Sequence, residues 1–312
     1  MAKGWISGIY PRSERLIEAT RRQDPKLSRL FEEEKRKIIR QEFDAGLDFM
    51  TDPLIDWDDI LRPFTENLGG VEIGALDRFY ENNTFYRRPL VLSEVKSRGH
   101  ILSSAISNTL FPKKKAWKVD LLDPYSMADL SENRYYRSKE ELMFAYSKVL
   151  AKELRGLPSD LALVQFNAPS LARTKDKDTI SQAKEAIRMA TRGIEATKCL
   201  HLYFGDISST LPQFLDFGVD ILGIDFINSE LQSFQGTTFT KALACGCVDA
   251  QNTRIERPSE IVAFVTRVVN VLNPKSISVL PNTDLEFIPQ PFARKKVQAI
   301  GKAITKLGDE GI

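Results

Sequence analysis

A (β/α)8 barrel is the fold this sequence predicts, and three observations predict it. Eight short, β-rich apolar runs recur along the 312 residues. Several of them, such as "LALVQF" and "VDILGIDF", are apolar almost without alternation, the pattern of parallel strands buried on both faces. The segments between them carry helical periodicity. Strands therefore alternate with helices, and a single barrel over residues 1–312 fills the length as one domain.

Taken in order, the strands fall at Trp5–Ile9, Leu47–Asp52, Trp117–Leu122, Leu161–Phe166, Cys199–Phe204, Val219–Asp225, Ala242–Val248 and Ile277–Leu280. Among the helices, Leu27, Leu30, Phe31 and Ile38 share one stripe. Pro258 sits in the first turn of a helix that carries Ile261, Val265, Val268 and Leu272 on one face. Val297, Ile300, Ile304 and Leu307 line the last helix. One stretch breaks the alternation: Gly69–Ser107 contains "RRPLVLSEV" and reads as a hairpin inserted after the second strand. Gly156–Asp160 is a short loop before a strand.

Composition narrows the function. The chain is 42% hydrophobic and 28% charged, ordinary for a globular protein. Lys plus Arg number 44 against 42 for Asp plus Glu, and a net charge of +2 provides no field for nucleic acid. The run Lys113–Lys115 reads as a solvated loop. No segment is long and apolar enough to span a bilayer, and the N-terminus lacks the apolar core of a leader, so no membrane partner is expected. Three cysteines, an odd number in a long chain, point to a reducing, cytoplasmic setting.

Barrels of this kind place their chemistry on the loops after the strands' C-terminal ends. Those ends read Tyr10-Pro11-Arg12, Asp52-Pro53, Asp123-Pro124-Tyr125, Asn167-Ala168-Pro169, Gly205-Asp206, Asp225, Asp249 and Asn282-Thr283-Asp284. His201 lies at the same end, with Cys199 two residues before it on the same face. That spacing permits joint metal ligation, although a lone buried histidine is more often a hydrogen-bonded core residue. The pair Cys245 and Cys247 reads as packing of a buried strand, with a cluster including Cys199 as the alternative. Asp206, Asp225, Asp249 and Asp284 suit either a polar site or the capping of βα loops.

Read together, "NNTFYRRP", "VQFNAPSLA", "VDILGIDF", "VDAQNTRIERPSEI" and the closing "LPNTDLEFIP" resemble the cobalamin-independent methionine synthase superfamily, over nearly the whole chain. The resemblance implies a (β/α)8 barrel and methyl transfer from a folate-type donor to homocysteine, with zinc holding the sulfur as thiolate. The family's zinc ligands are a His-x-Cys pair, a Glu ending the next strand and a Cys after the last. At those places this sequence has His201 followed by Tyr203, then Asp225, then Thr283. Asn167 stands where a carboxylate holds the amino acid's ammonium group, and Leu54 where another polar contact is lost.

The chain is thus similar to the zinc-less first barrel of two-barrel members, and no metal is expected in it. In that first barrel, basic residues near the start hold the donor's tail. Arg12 and Arg15 are their nearest counterparts, and Asp52 and Asp249 are further donor-side candidates. The resemblance implies a donor-binding or stabilising companion of a separately encoded, zinc-bearing methionine synthase barrel, with a methyl-folate or analogue as donor. It leaves open a zinc-independent methyltransferase acting on another acceptor, and a purely structural partner.

Overall fold

Strands that are apolar on both faces need helices outside and side chains filling the inside. The computed structural model, which describes residues 1–312, builds that arrangement. Its strands are β1 (Lys3–Gly4), β2 (Phe49–Thr51), β3 (Leu68–Arg78), β4 (Phe85–Ser97), β5 (Ala116–Leu122), β6 (Glu132–Asn133), β7 (Leu161–Asn167), β8 (Thr197–Leu202), β9 (Ile221–Asp225), β10 (Ala242–Val248) and β11 (Ile277–Pro281). Eight of them pair in the order β1-β11-β10-β9-β8-β7-β5-β2, every neighbour parallel. The remaining three form a separate small sheet, with β4 between β3 and β6.

The eight barrel strands are those expected, with shifts at four of them; the sixth begins at Ile221 rather than Val219. The first is Lys3–Gly4 rather than Trp5–Ile9. Beyond Trp5 the chain leaves the ladder for a left-handed turn at Gly8 (φ +57°), where a Cβ would lie 2.0 Å from the Asp284 carboxylate. Only glycine fits there. The second strand shortens to Phe49–Thr51. The fifth ends at Leu202, because Phe204 turns left-handed at φ +63°.

No ladder joins β1 to β2, the one seam in the ring. It is bridged by two backbone bonds, Asp48 N to Gly4 O and Tyr10 N to Pro53 O, both at 2.9 Å, and its edge donors are capped by two carboxylates. Asp48 accepts from Gly4 N at 2.8 Å, and Glu42, on the helix Leu27–Asp44, accepts from Thr51 N at 2.9 Å. Backbone donors at an open strand edge need such acceptors once they are buried.

Inside the barrel, Trp5, Phe49, Leu163, Cys199, Ile221, Ala244 and Leu280 form a small apolar plug. The main core lies outside, between the strands and the helices, and is built from such residues as Leu142, Val149, Ile180, Val265 and Ile300. Amphipathic stripes bind these helices to the sheet, and local caps start them: Ser138 accepts from Glu141 N, Asp176 from Thr179 N. No helix is long and apolar enough to cross a membrane.

The inserted segment is the expected hairpin. β3 and β4 pair antiparallel, with two irregularities in register, and their tip reaches over the C-terminal mouth of the barrel. Gly70 (φ +81°) lies against the backbone of Ser93 and Glu94, where a side chain would collide.

The seam generates a first prediction. Glu42→Leu leaves the buried Thr51 N–H without an acceptor and should destabilise the protein by about 2 kcal/mol. Burial raises the Glu42 carboxyl well above its ordinary range. The neutral isostere Glu42→Gln should therefore cost distinctly less. Urea denaturation at neutral pH checks both, and equal losses in the two variants would contradict this account of the seam.

Candidate functional site

Above the apolar plug the barrel interior turns polar. Lys118 and Asp120 stand two residues apart on β5, point inward together, and pair at 2.5 Å with no exposure of either side chain. Lys118 touches both oxygens of Asp120, at 2.6 and 2.5 Å, so the two buried charges neutralise one another.

Beside this pair, Trp5 Nε1 donates to Gln165 Oε1 at 2.7 Å. Gln165 Nε2 donates to Ser7 Oγ at 2.6 Å and to Asn167 Oδ1 at 2.8 Å. Both Ser7 Oγ and Gln165 Nε2 lie 3.5 Å from His201 Nδ1. The imidazole rests over Gly223 on β9, where a Cβ would come within 2.8 Å of His201 Cδ2. Burial, helped by the nearby Lys118 charge, pushes the His201 pKa down to about 3, so the ring is neutral.

The Tyr203 ring is centred 5.2 Å from that imidazole, and burial raises its hydroxyl well above the ordinary range. From the end of β11, Asp284 accepts from Ile9 N at 3.4 Å. Burial and the Asp120 charge push its carboxyl up to about 7. Four buried polar atoms of this region have no partner: Asn167 Nδ2, His201 Nε2, Thr283 Oγ1 and Asp284 Oδ1. Buried polar atoms without a protein partner are satisfied by ordered water or by a ligand, and these four are close together at the barrel mouth.

The hairpin tip closes over this layer. Tyr80 Oη bonds Ser170 Oγ at 2.6 Å, and Ser170 in turn donates to Asp129 at 2.7 Å. Arg173 grips Glu81 with two nitrogens, at 2.6 and 2.9 Å, and lies over the Tyr80 ring. Gln251, from the loop after β10, donates to Asn82. Phe79 and Tyr80 meet Phe204, which also packs on Tyr203 and Phe287. Tyr80 (φ +52°) and Phe204 (φ +63°) both hold left-handed backbone, uncommon for bulky residues and concentrated here at the lid contact.

Of the residues singled out in the sequence, His201, Tyr203, Thr283 and Asn167 come to this mouth. Asp225 ends β9 beside them, but its carboxylate is spent on structure. It accepts from Phe204 N, Ile227 N, Asn228 N, Asn228 Nδ2 and Asn282 Nδ2, at 2.6–3.2 Å. Three of the four donor-side candidates have other partners, and the fourth, Arg15, lies on the surface. Arg12 donates to the Ile55 and Trp57 carbonyls, at 2.6 and 3.1 Å, and pairs with Asp58 at 3.2 Å. Arg15 is exposed, on a surface shared with Ser13, Glu33 and Lys37. Asp52 is buried in an ion pair with Lys35 at 3.0 Å. Asp249 accepts from Gln251 N at 2.9 Å, as Asp206 does from Ser208 N, so both brace their own turns.

These residues do not fit the zinc of the family's catalytic form. Nowhere do three or more His, Cys, Asp or Glu side chains converge as metal ligands. Beside His201 stand Tyr203 and Thr283, whose hydroxyls are poor zinc ligands near neutral pH, and the Asp225 carboxylate is saturated by its five hydrogen bonds. The cysteines make no joint site either: Cys199 belongs to the inner plug, whereas Cys245 and Cys247 lie together at the outer core.

Sequence reading missed Ser7, Gln165 and the Lys118–Asp120 pair. Their signal was present, as isolated polar residues at inward positions of apolar strands ("WKVDLL", "LALVQF"). Tyr80 carried no local signal, because its role comes from where the hairpin folds.

Comparison with known proteins places this geometry. Residues 9–306 match the family model described as "Cobalamin-independent synthase, Catalytic domain". A "Methionine synthase" of Saccharolobus solfataricus is 26% identical over 306 residues, covering 94% of this chain and 90% of that protein. Its counterpart in Sulfurisphaera tokodaii is 27% identical over 309 residues, covering 94% and 88%. The solved structure of a B12-independent methionine synthase from a Shewanella species superposes with a TM-score of 0.77 at 17% identity, over 91% of this chain and 89% of that one.

The Asp284 environment yields a prediction for stability against pH. A carboxyl whose folded pKa is raised above its unfolded value, 3.8, contributes stability that is present at low pH and lost as pH rises through about 7. Asp284→Asn should flatten that decline, by on the order of 3 kcal/mol between pH 4 and pH 8. The flattening should be partial overall, because Asp123 is also held at about 7 by burial. Chemical denaturation across that range measures it, and an unchanged slope would contradict the burial of an uncompensated Asp284.

Proposed function

Because this chain belongs to the cobalamin-independent synthase family, we propose that it is a methionine synthase-type barrel that has given up the zinc-thiolate site and serves as donor-binding or stabilising companion to a separately encoded, zinc-bearing barrel. The observation that carries this reading is the state of the ligand positions. Tyr and Thr replace both thiolates, and the remaining acid, Asp225, is saturated by five hydrogen bonds. A free thiol is largely protonated at neutral pH, so without a metal the acceptor sulfur has nothing here to hold it as thiolate.

Two further features support a companion role. The mouth keeps its closed architecture and its polar lining, which a purely structural partner would not need. The inserted hairpin also exposes Ile73, Leu76, Phe85 and Leu92, each more than 40% accessible, apolar side chains suited to contact with a second barrel. A separate chain must replace a covalent linker with an interface of about 1,600 Å² in total.

The experiment is methyl transfer to homocysteine, measured with this protein alone and together with a zinc-bearing methionine synthase barrel from the same cells. The protein alone should give no turnover. Tyr203→Cys combined with Thr283→Cys should not restore it, since Asn167 and Leu54 still lack the amino-acid contacts. With the second barrel it should co-elute and raise donor use, and Leu76→Asp with Phe85→Asp should weaken the assembly at least tenfold. Robust turnover of homocysteine by the isolated chain would overturn this reading, and methyl transfer by the isolated chain to another acceptor would favour the alternative, a zinc-independent methyltransferase.

A further inference from the structure

The orientation of the polar layer follows from its fixed donors. Indole Nε1 only donates, so Trp5 fixes Gln165 Oε1 as the acceptor and turns Nε2 toward Ser7 and Asn167. An amide nitrogen also only donates. Asn167 Oδ1 therefore accepts, and Asn167 Nδ2 points away from Gln165, where it has no partner. Ser7 Oγ has accepted from Gln165, which leaves its own proton for His201. Gln165 Nε2 has given both of its hydrogens, to Ser7 and Asn167, and can neither donate to His201 Nδ1 nor accept from it; the hydrogen that faces Nδ1 is that of Ser7 Oγ, so Nδ1 carries the lone pair and Nε2 the proton. His201 Nε2–H is then a second buried donor without a partner.

We infer that Asn167 Nδ2–H and His201 Nε2–H form a two-donor cradle for the carbonyl oxygen of an uncharged, amide-type ligand held in the barrel mouth. The two residues are paired in register on neighbouring strands, Asn167 of β7 against His201 of β8, which places the donors side by side. An anion is the poorer fit. Asp225 and Asp284 border the site, Lys118 is taken by both oxygens of Asp120, and Arg12 and Lys35 are engaged elsewhere. Across the mouth, Asp284 Oδ1 is an unpaired oxygen available to an N–H, as an amide edge offers. This tautomer also turns a proton, not a lone pair, toward the mouth, in keeping with the poor fit to zinc.

The inference rests on the mouth being a small-molecule site, and its test is separable from that of the companion role. The chain has two histidines, so His100→Gln leaves His201 as the only imidazole in a ¹⁵N ring spectrum of the full-length protein. The spectrum should show the proton on Nε2. Titration with 2-piperidone, a neutral cyclic amide, should shift that proton and the Asn167 side-chain amide saturably, while acetate should not. Asn167→Asp, which replaces the donor by an acceptor, should weaken the effect about tenfold. A proton on Nδ1, an imidazolium at neutral pH, a response to acetate in place of 2-piperidone, or no response to either would overturn the cradle. The wild-type tautomer needs no variant in this layer, so a misfolded Asn167→Asp leaves the test standing. Co-elution with a second barrel is independent of all these outcomes.

Discussion

The orientation of one side-chain amide organises the upper half of this barrel. Gln165 is fully buried among eight strands, and a buried amide must place all of its donors and acceptors. Trp5 takes the oxygen; Ser7 and Asn167 take the nitrogen. In one stroke this ties the first strand's continuation to β7, across 158 and 160 residues of sequence. It also sets which atom of Asn167 and which nitrogen of His201 remain free. Chains of buried hydrogen bonds are all-or-none in this sense, since reversing one member orphans the next.

Around that layer the barrel manages two exposed flanks by different means. Where β1 and β2 fail to pair, Glu42 and Asp48 substitute carboxylates for the missing ladder. Where the mouth opens, the inserted hairpin supplies a cover, held by Glu81 to Arg173, by Tyr80 to Ser170 and by an aromatic cluster centred on Phe204. The cover keeps water from the orphaned polar atoms beneath it, which raises the value of any ligand hydrogen bond made there.

The acids at the strand ends divide into two kinds that composition cannot separate. Asp206, Asp225 and Asp249 accept backbone N–H groups within their own βα turns and act as caps. Asp284 accepts one long bond and keeps the other oxygen bare, over a glycine that admits it only because it lacks a Cβ. The same residue type is structural in one case and available in the other, and the difference lies in how many donors surround it.

By itself the sequence determined the fold. Two-sided apolar runs have no stable arrangement except a parallel sheet covered by helices, and eight of them in a chain of 312 residues close into a ring. The inserted hairpin was legible too, as a break in alternation. Which residues face one another was decided by tertiary structure alone. Arg12 and Asp52 read as site residues by position, yet the fold engages them with the Ile55 carbonyl and with Lys35. Gln165, Ser7 and Tyr80 read as nothing in particular, yet the register of β7 and β8 and the reach of the hairpin place them at the mouth. Periodicity and residue type are local properties and survive in one dimension. Hydrogen-bond partnership depends on strand stagger and on contacts over a hundred residues apart, which no local pattern encodes.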